Sequence, residues 1–398
     1  MADRSSLNYS IPSHPEENIQ MKMRGAVLYE QGLARPYGTS NPLVIEELDL
    51  DGPQQNEVLV EIRAAGLCHS DLSTIEGIRT RPLPAVLGHE AAGIVREVGP
   101  GVTDLKEGDH VVLIFVMSCG KCFECQSGRS HLCGASFESK MKGELVGGGR
   151  RLSLKGKPIN HAGGVSCFAE YAVLDRSSMV KLPSDISFDD AALFGCAVIT
   201  GVGAVINTAN VQPGETVAVF GLGGVGLSAI MGAKLAGAEP IIGVDLRAEK
   251  MTLAKSLGAH ATVNAGEGTE RTAAAIKDLT SGGVLHAIEL SGTVKGLEAA
   301  YASLRAGGTV TIAGLTPADA TFEISPYMMA AKEFRLQGCY MGSCSAPDDM
   351  PKFVDYYREG KLPVDQLRTG ELGLDGINEG FERLADGSAI RQILKPHG

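Results

Sequence analysis

No run of apolar residues in this 398-residue chain has the length that a helical membrane span needs. The first twenty residues, MADRSSLNYSIPSHPEENIQ, lack the apolar centre of a secretory signal. Residues 1–22 read instead as a flexible polar tail on a cytoplasmic protein. An excess of basic charge is missing too: 36 Lys and Arg face 47 Asp and Glu, a formal net charge of -11. Such a surface repels phosphate backbones, so nucleic acid is not an expected partner, and neither is a membrane. There is no short-period repeat and no low-complexity tract.

What is present is ordinary for a soluble globular protein: 44% hydrophobic and 21% charged residues, in a chain long enough for two or three domains. Gly is abundant at 51, pointing to tight turns or to backbone approaching ligands closely. The nine cysteines stand at 68, 119, 122, 125, 133, 167, 196, 339 and 344. An odd, clustered set in a long chain without a secretory signal suggests metal binding or catalysis more than disulfides.

Residues 23–197 carry short apolar or alternating runs, among them MRGAVLYE, EVLVEIRAA and AAGIVREVG. Turn residues such as Asp51-Gly52-Pro53 separate them, so this part is read as β-rich. Residues 134–165, rich in Gly, Lys and Ser, read as a long surface excursion. From 198 to 340 strand-like and helix-like segments alternate, beginning TVAVFG then LSAIMGAKLAGA, which implies an α/β domain with a parallel, doubly wound sheet. Residues 341–398 return to mixed structure. The expected organisation is a nucleotide-binding domain inserted into a discontinuous β-rich domain.

Cys119, Cys122, Cys125 and Cys133 lie within SCGKCFECQSGRSHLC, spaced C-x2-C-x2-C-x7-C. Zn²⁺ prefers four soft ligands in a tetrahedron, and thiolates two residues apart on a turn can share one ion. Four protein ligands leave no open position, so a zinc here, in the lobe 117–134, would be structural. An iron–sulfur cluster also uses four thiolates, but the long third gap disfavours it.

Phe220-Gly221-Leu222-Gly223-Gly224-Val225-Gly226 follows an apolar strand and opens a helix, the context that a dinucleotide loop requires. Gly221 permits the turn, Gly223 and Gly224 let amides approach a pyrophosphate, and Gly226 lets helix and strand lie close. The helix N-terminus favours phosphate. Asp245 ends the next strand, where a carboxylate accepts the ribose hydroxyls of NAD and repels the extra phosphate of NADP. Arg247 nearby argues weakly the other way. A purely structural Gly-rich turn is the plain alternative.

Cys68, His89 and Cys196 each end an apolar run beside small residues. Together they would make a Cys2His set with a fourth position open for water or substrate. Spacing alone leaves this no stronger than buried packing cysteines and a structural histidine.

These segments resemble the zinc-dependent medium-chain alcohol dehydrogenases, from about residue 24 to the C-terminus. Gly88-His89-Glu90-Ala91-Ala92-Gly93, with Gly99 beyond, is similar to that family's zinc signature, and the four-cysteine spacing to its structural lobe. VFGLGGVGLSAIMGAKLAGA resembles the cofactor segment of the animal-type members. The resemblance implies a GroES-like catalytic domain with a Rossmann domain, two zincs per chain, and NAD. It makes Cys68, His89 and Cys196 the catalytic zinc ligands and Glu90 an acid behind the metal. Asp71 becomes the carboxylate that orients His89, and Ser70 the hydroxyl that receives the substrate proton. His69 and Arg391 would contact the pyrophosphate, Lys250 would assist Asp245, and Thr200 and Val225 would lie against the nicotinamide.

Several positions depart from the family pattern. The family often carries His three residues beyond the relay serine; here that residue is Ser73, so the relay would end in water or use another group. Phe115 resembles an inner wall of the substrate pocket. Ala162 and Gly163 are smaller than the usual residues, which implies room for bulky alcohols. Arg79 falls at the pocket mouth with Arg81 nearby, either gripping an anionic substrate or merely solvated. Phe137 stands where glutathione-dependent formaldehyde dehydrogenases of this type tend to carry Arg. The 134–165 excursion, present in dimeric relatives, implies a homodimer.

The resulting expectation is hydride transfer between NAD and a bulky primary or secondary alcohol or its carbonyl product. The nearest rival is a thiol-adduct formaldehyde dehydrogenase of the same family. A different kind of rival is a non-catalytic NAD-binding redox sensor with only the structural zinc.

Overall fold

The computed structural model describes residues 20–398; most of the N-terminal tail reading therefore lies outside the described residues. A strand already begins at Gln20, so the last three residues assigned to the tail, 20–22, are paired with Asp49–Asp51.

One sheet is parallel throughout. Its order is Ala261–Asn264, Ile241–Asp245, Val217–Phe220, Val284–Glu289, Leu304–Ile312, Arg335–Gly338. The third strand in sequence is thus at one edge, the first is in the middle, and the order reverses between Val217–Phe220 and Val284–Glu289. That is the doubly wound Rossmann order, whose ligand crevice lies at the C-terminal ends of the strands around the reversal. Val217–Phe220 is buried along its whole length because helices cover both faces. Helix Val294–Ala302 starts where the Thr293 hydroxyl accepts from the Gly296 amide at 3.0 Å.

The remaining strands form a closed barrel and a seven-stranded mixed sheet. The sheet centres on Glu57–Gly66, which pairs with Ala91–Val98, Tyr171–Asp175 and Arg391–Lys395. The C-terminal strand thereby closes the part of the molecule begun near the N-terminus.

Two expectations are corrected. The segment 134–165 is not a surface excursion. It contains helix Gly134–Lys142 and strands Leu152–Leu154 and Lys157–His161, the last two being staves of the barrel. Lys140, Leu145, Ile159 and His161 from it are buried. Its polar composition misleads because short barrel strands need few apolar residues to bury one face. The second correction concerns length and apolarity. Phe188–Thr208 is one continuous helix of 21 residues whose most apolar 18-residue stretch has mean hydropathy 1.8, long and apolar enough to cross a membrane. Of its most apolar stretch, 78% is buried inside the protein, where it packs as a core helix against Gly224–Leu235.

Candidate active site

Four side chains from three separated parts of the chain converge. Cys68 follows strand Glu57–Gly66 at the start of helix His69–Ile75. His89 and Glu90 immediately precede strand Ala91–Val98. Cys196 lies in a π-helical turn, Phe194–Val198, of the long core helix. Such turns interrupt the regular ladder and recur at functional sites. The ligating atoms of Cys68, His89, Glu90 and Cys196 all lie within 4.8 Å of one another, and all four residues are buried.

The His89 ring is oriented from behind. Its Nδ1 stands 3.0 Å from Asp71 Oδ2, and Asp71 Oδ1 accepts the Gly88 amide at 3.2 Å. Nε2 is buried without a hydrogen-bond partner. Burial opposes a positive charge on the imidazole, but the Asp71 carboxylate and Cys68 outweigh it, so His89 is pushed well above its usual range. Cys68 and Cys196 share a hydrogen bond that lowers the Cys68 thiol and raises that of Cys196. A buried imidazole whose Nε2 has no partner stands here beside two thiols that share a hydrogen bond. This donor set fits Zn²⁺ with three protein ligands and an open position.

Glu90 is fully buried and neither carboxyl oxygen has a hydrogen-bond partner. A side chain at Gly66 would collide with it, which explains a glycine at the end of that strand. Burial pushes Glu90 up to about 7, against the pull of Arg391. The buried Arg391 Nε is 3.7 Å from Glu90 Oε1, and its Nη1 donates to the Leu67 carbonyl at 3.1 Å. Its guanidinium packs against Gly224, where a Cβ would strike it. Arg391 therefore joins the metal-type cluster to the first turn of helix Gly224–Leu235.

That turn has the open backbone form that a phosphate cradle requires. Gly221 has φ +87°, and a Cβ at Gly226 would land on the Gly221 carbonyl. The helix opens at Gly223 with no side-chain cap, leaving backbone amides for a ligand. Asp245 ends its strand beside the loop and accepts from the Leu222 amide at 2.7 Å and the Arg247 amide at 3.0 Å. His69 shares its surroundings with Arg391 and Lys250. Gly201, the residue after Thr200, backs onto the Val225 carbonyl. These residues fit a dinucleotide lying between the two parts of the molecule.

The other cysteine cluster is a separate lobe. Cys119 Sγ is 4.0 Å from Cys125 Sγ, and Cys122 Sγ is 3.4 Å from Cys125 Sγ and 4.0 Å from Cys133 Sγ. Four sulfurs each ~2.3 Å from one tetrahedral centre lie about 3.8 Å apart, which these distances bracket. They are too long for S–S bonds, and all nine cysteines are free. The Lys121 amide donates to Cys119 and helps hold its thiol down at about 6.

Beyond His89 stands a group of aromatic side chains. The Phe115 ring stands edge-on to the His89 ring at 5.0 Å and to the Tyr340 ring at 6.1 Å. A side chain at Gly163 would touch Phe115 and His89. Ala162 and Phe115 pack against the same buried apolar cluster. The Ser70 side chain is half-buried in the first turn of its helix. Ser73 turns its hydroxyl to the His69 carbonyl at 2.8 Å. Arg79 and Arg81 both lie near Tyr340. Sequence reasoning missed Lys140 and Tyr340. The Lys140 ammonium is 5.3 Å from the Phe115 ring centre and 6.0 Å from that of Tyr340. No local signal marks a lysine that tertiary packing buries.

Residues 54–184 match the family model described as alcohol dehydrogenase GroES-like domain, and residues 224–359 that described as zinc-binding dehydrogenase. The chain is 38% identical to an S-(hydroxymethyl)glutathione dehydrogenase of Paracoccus denitrificans, over 94% of this chain and 100% of that protein. It is 39% identical, with the same coverage, to an alcohol dehydrogenase class-3 of Cereibacter sphaeroides. Among solved structures it resembles the benzyl alcohol dehydrogenase of Acinetobacter calcoaceticus, with a TM-score of 0.87 and 34% identity over 94% of this chain and 99% of that one.

Proposed function

The chain belongs to the zinc-dependent medium-chain alcohol dehydrogenases, a GroES-like domain joined to a Rossmann domain, and from that membership we propose its substrates and the side chains that act on them. It is an NAD-linked zinc enzyme that interconverts alcohols and carbonyl compounds. Our reading is that it takes bulky primary or secondary alcohols, holds two zincs per chain, and works as a cytoplasmic homodimer. The domain bounds we propose are 23–197 with 341–398 for the catalytic domain and 198–340 for the NAD domain.

One observation carries the assignment of the reacting centre: the buried convergence of Cys68, His89, Glu90 and Cys196 beside the loop that opens at Gly221. Cys68, His89 and Cys196 would hold Zn²⁺, which would supply Lewis acidity toward an alcohol oxygen, and the loop from Gly221 would hold NAD, which would supply a hydride acceptor. Asp71 keeps His89 in the tautomer that frees Nε2 as a ligand. Ser70 takes up the substrate proton and passes it to water. Burial pushes Glu90 up to about 7, so that it exchanges a proton readily near neutral pH, and it would lie behind a metal held by the other three side chains. Arg391 and His69 hold the pyrophosphate, Asp245 with Lys250 holds the ribose, and Thr200 with Val225 fixes the face of the nicotinamide. The preference for bulky alcohols follows from the missing side chain at Gly163, beside both Phe115 and His89.

A panel of alcohols with NAD and NADP, followed by absorbance of the reduced cofactor, tests this reading. We expect higher kcat/KM for benzyl alcohol than for ethanol, with NAD preferred. A clear preference for ethanol overturns the pocket assignment. No reduced cofactor with any alcohol, and one zinc per chain, favours the non-catalytic alternative. A second reading, oxidation of a thiol adduct of formaldehyde, is supported by the Paracoccus relative. A strict need for glutathione or a similar thiol would establish it. Sedimentation at the mass of a tetramer would overturn the homodimer.

A further inference from the structure

Lys140 is only 8% exposed, on the one helix of the segment 134–165. Among the described residues its charged surroundings are Arg81 and Cys133, with no carboxylate, and Arg81 in turn faces Arg79 and Tyr340. Neither Lys140 nor Arg81 forms an ion pair among the described residues; the Arg81 guanidinium donates hydrogen bonds to the Thr80 carbonyl and the Met141 sulfur. The faces of Phe115 and Tyr340 are the neighbours of the Lys140 ammonium. A buried cation beside another cation is unfavourable unless something repays its desolvation. Burial and Arg81 push Lys140 down to about 8, so most of it is still protonated at pH 7.

The position of this cation is informative. The Phe115 ring neighbours both groups: its centre is 5.0 Å from that of the His89 ring and 5.3 Å from the Lys140 ammonium. An alcohol whose carbinol sits at His89 and whose chain runs along Phe115 brings its far end to Lys140.

We propose that Lys140, assisted by Arg81, binds a carboxylate at the end of the substrate remote from the carbinol, so that the preferred alcohols are hydroxy acids with the two groups separated by a short chain or a ring. This rests on the reading of Cys68, His89 and Cys196 as the reacting centre. It shifts the anionic grip inward from Arg79 to a residue that water reaches poorly, where a charge-assisted contact is stronger.

The test has an activity arm and a binding arm. In the first, the zinc-loaded enzyme with NAD is compared on 6-hydroxyhexanoate and 1-hexanol. We expect the hydroxy acid to be preferred in kcat/KM, and Lys140→Met to reduce that preference roughly 10- to 100-fold. Lys140→Arg should restore part of it. In the second, hexanoate binding to the NADH complex is measured by calorimetry without turnover, and Lys140→Met should weaken it by at least roughly tenfold. Removing an unpaired buried charge should leave the melting temperature unchanged or higher; Arg81→Met provides the same comparison at a half-buried site if Lys140→Met does not fold. Equal losses on both alcohols, or unaltered hexanoate affinity, overturn the proposal. Absence of turnover with every alcohol would instead count against the reacting centre, and the calorimetry still decides the role of Lys140.

Discussion

The Asp71 carboxylate stands 3.0 Å from Nδ1 of His89, and the opposite ring nitrogen, Nε2, is buried with no hydrogen-bond partner. One oxygen of Asp71 is tied to the Gly88 amide, so the carboxylate is itself held in place. A ring fixed on one side by an anion presents a basic nitrogen on the other, which is how a histidine ligand is oriented toward a metal. Asp71→Asn should therefore cost roughly 10- to 100-fold in catalytic-zinc affinity or in kcat/KM. Zinc content after dialysis and steady-state kinetics with NAD check this. Full zinc retention with unaltered kinetics would remove Asp71 from the account.

The cysteine lobe should be separable from the chemistry. Cys125 lies 3.4 Å from Cys122 and 4.0 Å from Cys119. Cys125→Ser is expected to lower zinc from about two to about one per chain, and the melting temperature by several degrees, since metal binding there is part of folding. Elemental analysis and thermal melts give the answer. Unchanged stoichiometry would mean that the lobe holds no zinc.

His161 is fully buried in a barrel strand and accepts the Arg151 amide on Nε2 at 3.1 Å. Burial, with help from Arg151 and Arg150, pushes it down to about 3. The unfolded chain thus binds this proton more strongly than the folded one. The stability from a neutral His161 is complete above pH ~6.5 and is lost as pH falls toward 3, at about 1.4 kcal/mol per pH unit. His161→Gln, which keeps an acceptor, should therefore lose about 2 kcal/mol less than wild type between pH 7 and pH 5. Urea midpoints at the two pH values measure the difference. Parallel losses in both proteins would contradict it.

Ser73 does not face the proposed proton path: its hydroxyl donates to the His69 carbonyl one turn back in its own helix. Ser73→Ala should leave the pH dependence of hydride transfer where it is. Ser73→His places an imidazole on the same face and should speed proton release if that step limits turnover. Pre-steady-state formation of reduced cofactor across pH distinguishes these outcomes, and an altered profile in Ser73→Ala would make the hydroxyl part of the relay.

How much could be read before folding was considered varied with the reach of each signal. The four-cysteine lobe and the loop from Gly221 to Gly226 are compact, so residue spacing reports their geometry. The parallel sheet was legible because its strands alternate with helices at regular length. Lys140 and His161 were not legible: both lie in a segment whose Gly, Lys and Ser content suggests solvent, and only the closure of the barrel buries them. Phe188–Thr208 was misjudged in another way. Gly195, Thr200 and Asn207 interrupt its run of apolar residues, yet the chain stays helical through two π-turns.

Taken alone, the sequence determined chemical type: which sulfurs can share an ion, where a phosphate can meet a helix, and that strand and helix alternate. The tertiary structure decided which residues act together. Cys167, Cys339 and Cys344 are as deeply buried as Cys68 and Cys196, yet only the latter two meet a histidine with a free buried nitrogen. That meeting depends on a strand end, a loop and a π-turn far apart in the chain. Local patterns encode neighbours a few residues away, whereas burial and the pairing of charges are set by contacts between distant segments, formed only when the core closes.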